Sequence, residues 1–319
     1  MLLINFAFFV MSLVVLIAAG SLTVKYLSKI AAFLHLSEYV LGFMLMAVAT
    51  SVPELFVGIS SGIAKTTALS LGNVIGSNIA NVTIIIGISI LLAKGMNIES
   101  EKTRKDSIYM TLIVIVPIIL TFIGGTLSRI DGVILLGMFG LYSFIIWKQR
   151  KAFRKEVEER IPRWQIVLDI FLFIISIVLL FVSSDFVVKY ASNLAVDLAV
   201  PPIVIGLILL AIGTSLPELV FGTSAIIKGH SEMALGNIIG SGVANATLVL
   251  GVTGIIYPIT SDFLLFITSG VFMIVVCFLF ATFVETGKKL SWMEGISLVL
   301  LYVFFLIVEF YLKGMKLGL

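Results

Sequence analysis

"ATSVPELFVG", Ala49–Gly58, sets a proline and a glutamate side by side in an apolar run whose only charge from Tyr39 to Ala64 is Glu54. Neither suits a helix that crosses a bilayer. Proline removes a backbone N–H and clashes with the preceding turn. A charged side chain at mid-depth costs ~2.5–3.5 kcal/mol on insertion scales. Yet the arrangement returns as "GTSLPELVFG", Gly213–Gly222, around Glu218.

The residues around these two stretches settle the class. The chain has 319 residues, 60% of them hydrophobic and only 12% charged, with a mean hydropathy of +1.20. That leaves too few polar residues to cover a soluble domain, so the composition is that of an integral membrane protein. Ten apolar stretches are long enough to span the hydrocarbon, near 2–30, 39–64, 66–93, 107–128, 131–148, 164–197, 200–228, 232–260, 263–284 and 291–312. They are too long for barrel strands, so the expected fold is all-α with ten transmembrane helices in the lipid bilayer.

Charge placement gives the expected orientation. The first charge is Lys25 and no basic n-region precedes the first stretch, which reads as a retained helix with its N-terminus outside. Sixteen of the 21 Lys and Arg then fall on the cytoplasmic side, in keeping with the positive-inside rule. The C-terminus also lies outside, and the cell membrane is the expected location. The net charge of +3 reports topology and implies no nucleic-acid partner. Cys277 is the single cysteine, so no intrachain disulfide forms.

Residues i and i+164 match without a gap from Leu41–Leu92 to Ile205–Ile256, with 21 identities in 52 positions. Bulk apolar positions drift among Leu, Ile, Val and Phe, while most polar ones hold. The sequence thus divides into a first five-helix repeat at 1–147 (motif 40–92), a basic cytoplasmic loop at 148–163 and a second repeat at 164–319 (motif 204–256). An odd number of spans per half inverts the second repeat. Inverted repeats with interrupted hydrophobic segments at matching positions point to a secondary transporter with its site near the midplane.

The chemistry of the motifs agrees. Pro53 and Pro217 break or kink their helices and free carbonyls around 47–50 and 211–214, which a membrane tolerates where they line a cavity or meet a ligand. Glu54 and Glu218 follow at once. Carbonyls and a carboxylate, supplied twice, make an oxygen cage for a hard cation such as calcium, which takes about 6–8 oxygens. The near-absence of Cys and His from the spans argues against zinc, copper or iron, and His35 and His230 read as ordinary interfacial residues. The partner segments "SLGNVIGSNIANVTIIIG" (70–87) and "ALGNIIGSGVANATLVLG" (234–251) open with glycines that allow close helix approach. Each then presents Ser77 with Asn81, or Ser241 with Asn245, on one face at i, i+4. Asn73, Asn237 and Asn78 fit this site and plain interhelical bonding equally well. Two carboxylates ~5 Å apart at an effective dielectric of ~20 repel by about 3 kcal/mol. An empty cage therefore takes up a proton or a monovalent cation, which competes with calcium.

These motifs resemble the α-repeats of the calcium/cation antiporter superfamily, and most of all its prokaryotic sodium/calcium exchangers. The likeness runs over the whole chain. It implies that Glu54 and Glu218 bind calcium with the backbone carbonyls of Thr50 and Thr214. It also implies flanking sodium sites that use Ala47, Thr50, Ser51 and Ser77 in one half and Ala211, Thr214, Ser215 and Ser241 in the other. It implies further that the first and sixth helices slide against a core of the other eight. Asn81 and Asn245 stand where potassium-dependent relatives, and some prokaryotic exchangers, carry an aspartate at one or both positions, and two asparagines argue against a potassium co-substrate. Proton-coupled members show "GNA..E" in place of "TS.PE", which makes sodium the favoured coupling ion. Ala49 stands where the second copy has Gly213, a small packing change. The short linker leaves no room for large regulatory domains.

The expected activity is antiport of sodium for calcium by alternating access, with no cofactor and no protein partner. A cation channel could use a similar cage, but two deep sites in inverted halves suit alternating access better. An intramembrane enzyme would need a nucleophile or a phosphate-binding cluster that the sequence lacks. Asp185 with Lys189, and Glu309 with Lys313, read as structural i, i+4 pairs.

Overall fold

Runs of Leu, Ile, Val and Phe with no polar face can satisfy their backbone in hydrocarbon only through their own i to i−4 bonds, and here they do so. The computed structural model describes residues 1–33, 47–98, 101–149, 163–227, 229–286 and 289–317. Span one is Leu2–Phe33 and span six is Arg163–Asp197, the two longest helices at 32 and 35 residues. Span two consists of Ala47–Thr50 and Val52–Ile63, and its expected start at 39–46 lies outside the described residues. Span three is Thr67–Ala93, span four Glu101–Gly124 and span five Arg129–Gln149. Spans seven to ten are Pro202–Ile227, Ser231–Ile256, Phe263–Thr286 and Trp292–Leu317. Among the described residues nine helices are long and apolar enough to cross a membrane, and span two is shortened there by its missing start. The protein is a ten-helix, multi-pass membrane protein. Most of the loop at 148–163 and His35 lie outside the described residues.

The repeat seen in the sequence is a repeat in space. Val52–Ile63 corresponds to Leu216–Ile227, and Thr67–Ala80 to Ser231–Ala244, each shifted by 164 residues. Contacts across the pseudo-two-fold come in reciprocal pairs. Met96–Asn97 pairs antiparallel with Lys289–Leu290, and Leu127 bridges Ile259 in the matching place. Gly87 abuts the Gly295 carbonyl, while Gly132 abuts the Gly251 carbonyl. Five spans per half give the two halves opposite topology.

Spans three and eight form the centre and are mostly buried, whereas spans one and six are mostly exposed. Spans one and six pack on each other at the periphery, with Phe9, Leu16 and Ala19 against Leu180, Val187 and Ala191 in an apolar cluster that also takes in Val57, Leu69, Ile205 and Leu210 of spans two, three and seven. Polar staples run the length of this pair. Asn5 donates to Asp197 at 2.7 Å, Thr23 Oγ1 donates to Ser176 Oγ at 2.9 Å, and Lys29 meets Asp169 at 3.1 Å. Phe8 stacks on Tyr190 with ring centroids 5.0 Å apart.

One expected pair turns out differently. Asp185 and Lys189 form no ion pair, and the Lys189 ammonium instead lies 5.8 Å over the Tyr190 ring. An ammonium on a half-buried helix gains more from an adjacent aromatic face than from a solvated carboxylate one turn away. Glu309 accepts a hydrogen bond from Ser269 Oγ of span nine at 2.6 Å, while the Lys313 side chain lies outside the described residues. Glu309 is buried, with 2% exposure, and a buried carboxylate needs a donor within its packing interface.

Candidate functional site

The site grows out of one local conflict, repeated. Pro53 has no N–H to continue the helix, so the α-helix stops at Thr50, turns through Ser51 (φ −82°, ψ 4°) and restarts at Val52. Pro217 does the same, with Ser215 at φ −86°, ψ 4° between Thr214 and Leu216. Each break is a one-residue kink. Ser51 N–H still reaches the Ala47 carbonyl at 3.2 Å, and Ser215 N–H reaches that of Ala211 at 3.2 Å. The freed set is therefore narrower than the expected 47–50 and 211–214. Each proline now lies in a first helical turn, where its missing N–H is harmless. Glu54 and Glu218 follow in that same first turn, where the positive end of the helix dipole favours a carboxylate.

All twelve candidate residues are buried to the same depth. Ala47, Thr50, Ser51, Glu54, Ser77, Asn81, Ala211, Thr214, Ser215, Glu218, Ser241 and Asn245 are each at most 1% exposed. The kinked helix of one half is bridged to the Ser/Asn helix of the other. Thr50 Oγ1 lies 3.1 Å from Asn237 Oδ1 and 3.1 Å from Ser241 Oγ, which also donates to the Ala47 carbonyl at 3.3 Å. Reciprocally, Thr214 Oγ1 lies 3.1 Å from Asn73 Oδ1 and 3.4 Å from Ser77 Oγ. Ser77 Oγ donates to Glu54 Oε1 at 3.3 Å. Glu54 thus shares a level with Ser77 and Thr214, so atoms of both halves meet at one depth.

Asn73 and Asn237, which the sequence left undecided, bind these threonines across the halves; their identity in both copies was the available signal. The backbone of the Ser/Asn helices was not foreseeable. At Asn81 and again at Asn245 the α-helix widens into one π-turn, Asn81–Ile85 and Asn245–Val249, a distortion common at functional sites. The Thr83 and Thr247 hydroxyls donate to the Ile79 and Val243 carbonyls within these turns, at 2.5 and 2.6 Å.

Several fully buried oxygens here have no protein partner. They are Glu54 Oε2, both carboxylate oxygens of Glu218, the Ser51 and Ser215 hydroxyls, Asn81 Oδ1 and Asn245 Oδ1. A buried polar atom without a partner costs about 1–3 kcal/mol, and a charged one more. These orphans therefore call for a ligand: the carboxylates among them suit a cation, while the unpartnered amide nitrogens of Asn73, Asn81 and Asn237 beside them call for an acceptor such as water. Calcium takes about 6–8 oxygens. No group of three or more His, Cys, Asp or Glu occurs among the described residues, so neutral oxygens must complete any such shell.

Known proteins share this architecture. A family described as "Sodium/calcium exchanger protein" matches residues 4–148 and 168–311. The sodium/calcium exchanger MaX1 of Methanosarcina acetivorans is 31% identical over 353 residues, covering 98% of this chain and 100% of its own. The putative antiporter CaxA of Alkalimonas amylolytica is 31% identical, over 79% of this chain and 80% of its own. Among solved structures, the sodium-calcium exchanger NCX_Mj soaked with 10 mM Na+ and zero Ca2+ superposes with a TM-score of 0.66. It is 27% identical and covers 95% of this chain and 98% of that one.

Proposed function

The chain belongs to the sodium/calcium exchanger protein family, and we propose that it exchanges sodium for calcium across the cell membrane by alternating access. In this reading calcium sits between Glu54 and Glu218, helped by the carbonyls of Thr50 and Thr214. Sodium ions occupy flanking positions on Ala47, Ser51 and Ser77, and on Ala211, Ser215 and Ser241, with Asn81 and Asn245 at the centre. The observation that carries it is the set of unpartnered carboxylate, hydroxyl and amide oxygens buried together between the two halves. Sodium and calcium compete for the same two carboxylates, so loading one ion releases the other, and competition becomes exchange.

Spans one and six, stapled to each other, are the moving element. Their travel opens the site first to one side and then to the other. The N- and C-termini lie outside and the 148–163 loop lies in the cytoplasm, on the strength of the Lys and Arg distribution. The halves divide at that loop into 1–147 and 164–319.

The test is radioactive calcium uptake into proteoliposomes loaded with sodium, with potassium or with a proton gradient, each diluted into sodium-free buffer. Uptake is expected only with outward sodium. Uptake without any counter-ion would indicate a channel, and uptake driven by protons alone would keep the cage and replace the coupling ion.

A further inference from the structure

The two halves match at every candidate ligand but differ one turn away. Asn78 of the first half corresponds to Gly242 of the second. Asn78 is 1% exposed and makes two hydrogen bonds across the interface between the halves. Its Nδ2 donates to the Gly242 carbonyl at 3.4 Å, and its Oδ1 accepts from Asn245 Nδ2 at 3.2 Å.

These two bonds fix amide orientations that diffraction or sequence alone would leave ambiguous. A backbone carbonyl only accepts, so Asn78 must turn its NH2 toward Gly242. Its own oxygen then faces Asn245, which must offer NH2 in return. The remaining atom, Asn245 Oδ1, is left buried and unpartnered.

Spans two and eight run in the same direction. Glu54 lies one turn beyond Thr50 just as Asn245 lies one turn beyond Ser241, and Thr50 and Ser241 touch. Asn245 therefore presents its oxygen at the level of Glu54. Asn81 has no such holder: both its Oδ1 and its Nδ2 are unpartnered. Gly242 occupies the place of an anchoring asparagine there, and a Cβ at that position would come within 2.8 Å of Met110 Sδ. Met110 would have to shift its side chain to admit there the anchor that the first half has.

Resting on the exchange reading above, we propose that Asn78 is a positioning residue that locks Asn245 as a fixed oxygen ligand of the central cation, and that Asn81 is the freely turning amide. The pseudo-symmetric site is then chemically asymmetric. One side offers a preset oxygen, and the other can turn NH2 toward an empty carboxylate pair or oxygen toward a bound ion.

Calcium uptake driven by outward sodium, measured in proteoliposomes as a function of calcium concentration, tests this with the Asn78→Gly variant. Glycine already occupies the equivalent position 242, and Asn78→Ala serves instead if the glycine variant is not monodisperse. Loss of one orienting hydrogen bond predicts a rise of about 3- to 10-fold in KM for calcium with the maximal rate kept. The rise should vanish in an Asn245→Ala background and persist in an Asn81→Ala background. An unchanged KM, or equal rises in both backgrounds, would overturn the proposal while leaving exchange intact. Absence of sodium-driven uptake by the wild-type protein would overturn the exchange reading and this inference with it.

Discussion

Glu54 and Glu218 are where the fold accepts its largest local penalty, since a buried carboxylate without enough donors is among the least stable groups a protein holds. Thr50 with Ser241, and Thr214 with Ser77, surround them with hydroxyls that are mostly satisfied by one another. Three of the four carboxylate oxygens are left over. A ligand that binds only the folded protein repays that cost and stabilises it. Glu54→Gln or Glu218→Gln is expected to lower calcium uptake by roughly 10²–10⁴-fold, from a loss of about 3–5 kcal/mol when one partner of a buried charge pair is removed. The same variants should keep the melting temperature of the calcium-free protein and lose the calcium-induced rise. Thermal melts with and without calcium check this, and retention of both uptake and the calcium shift in the two variants would sink the site. The glutamates, serines and paired asparagines were legible because they are the residues that stay constant while the apolar background drifts. The anchoring role of Asn78 was not legible, because it depends on which atom faces it across the interface.

At the scale of elements, spans three and seven approach until backbone meets backbone. A Cβ on Gly72 would lie 2.2 Å from the Ile203 carbonyl, one on Gly76 2.1 Å from that of Leu207, and one on Gly206 2.3 Å from that of Leu69. Backbone cannot step aside as a side chain can, so these glycines set the interhelical distance and with it the contact of Thr214 with Asn73. Gly76→Ala or Gly206→Ala should destabilise the protein by about 1–3 kcal/mol through overpacking, with calcium uptake falling in parallel. Gly137→Ala should be neutral or slightly stabilising, since nothing lies within 4 Å of its Cβ position. Thermal unfolding of the purified variants decides, and equal effects at all three positions would refute the close-packing argument. The small-residue pattern foretold this contact. The π-turns at Asn81–Ile85 and Asn245–Val249 gave no such warning, because their sequences would suit an ordinary α-helix and only the packing around them selects the wider turn.

For the molecule as a whole, the staples between spans one and six matter more than any single helix. Lys29 with Asp169 at one end occupies the pseudo-equivalent place of Asn193 with Asn5 at the other, so the pair is held at both ends and can move as one body. Against the core, span six is held at Ser60 and Ser184, whose hydroxyls lie 2.9 Å apart. In a background lacking Cys277, a disulfide between Thr23→Cys and Ser176→Cys should leave exchange active, because both partners travel together. One between Ser60→Cys and Ser184→Cys should stop it and recover on reduction. Calcium uptake before and after reduction reads both, and full activity with the second bridge closed would exclude sliding of span six.

By itself the sequence determined the membrane class, the inverted duplication and the identity of the polar set. Each of these is written in composition, period or repetition, and none depends on distant contacts. It also placed the break at each proline, because a missing N–H is a local fact. Only the tertiary structure decided how narrow that break is, which half supplies the partner of each threonine, and that Asn245 is anchored while Asn81 is not. Those outcomes turn on atoms roughly 140 to 190 residues apart in the chain. A helix read alone gives the face its side chains occupy, but the donor or acceptor that meets them is set by the packing of another helix.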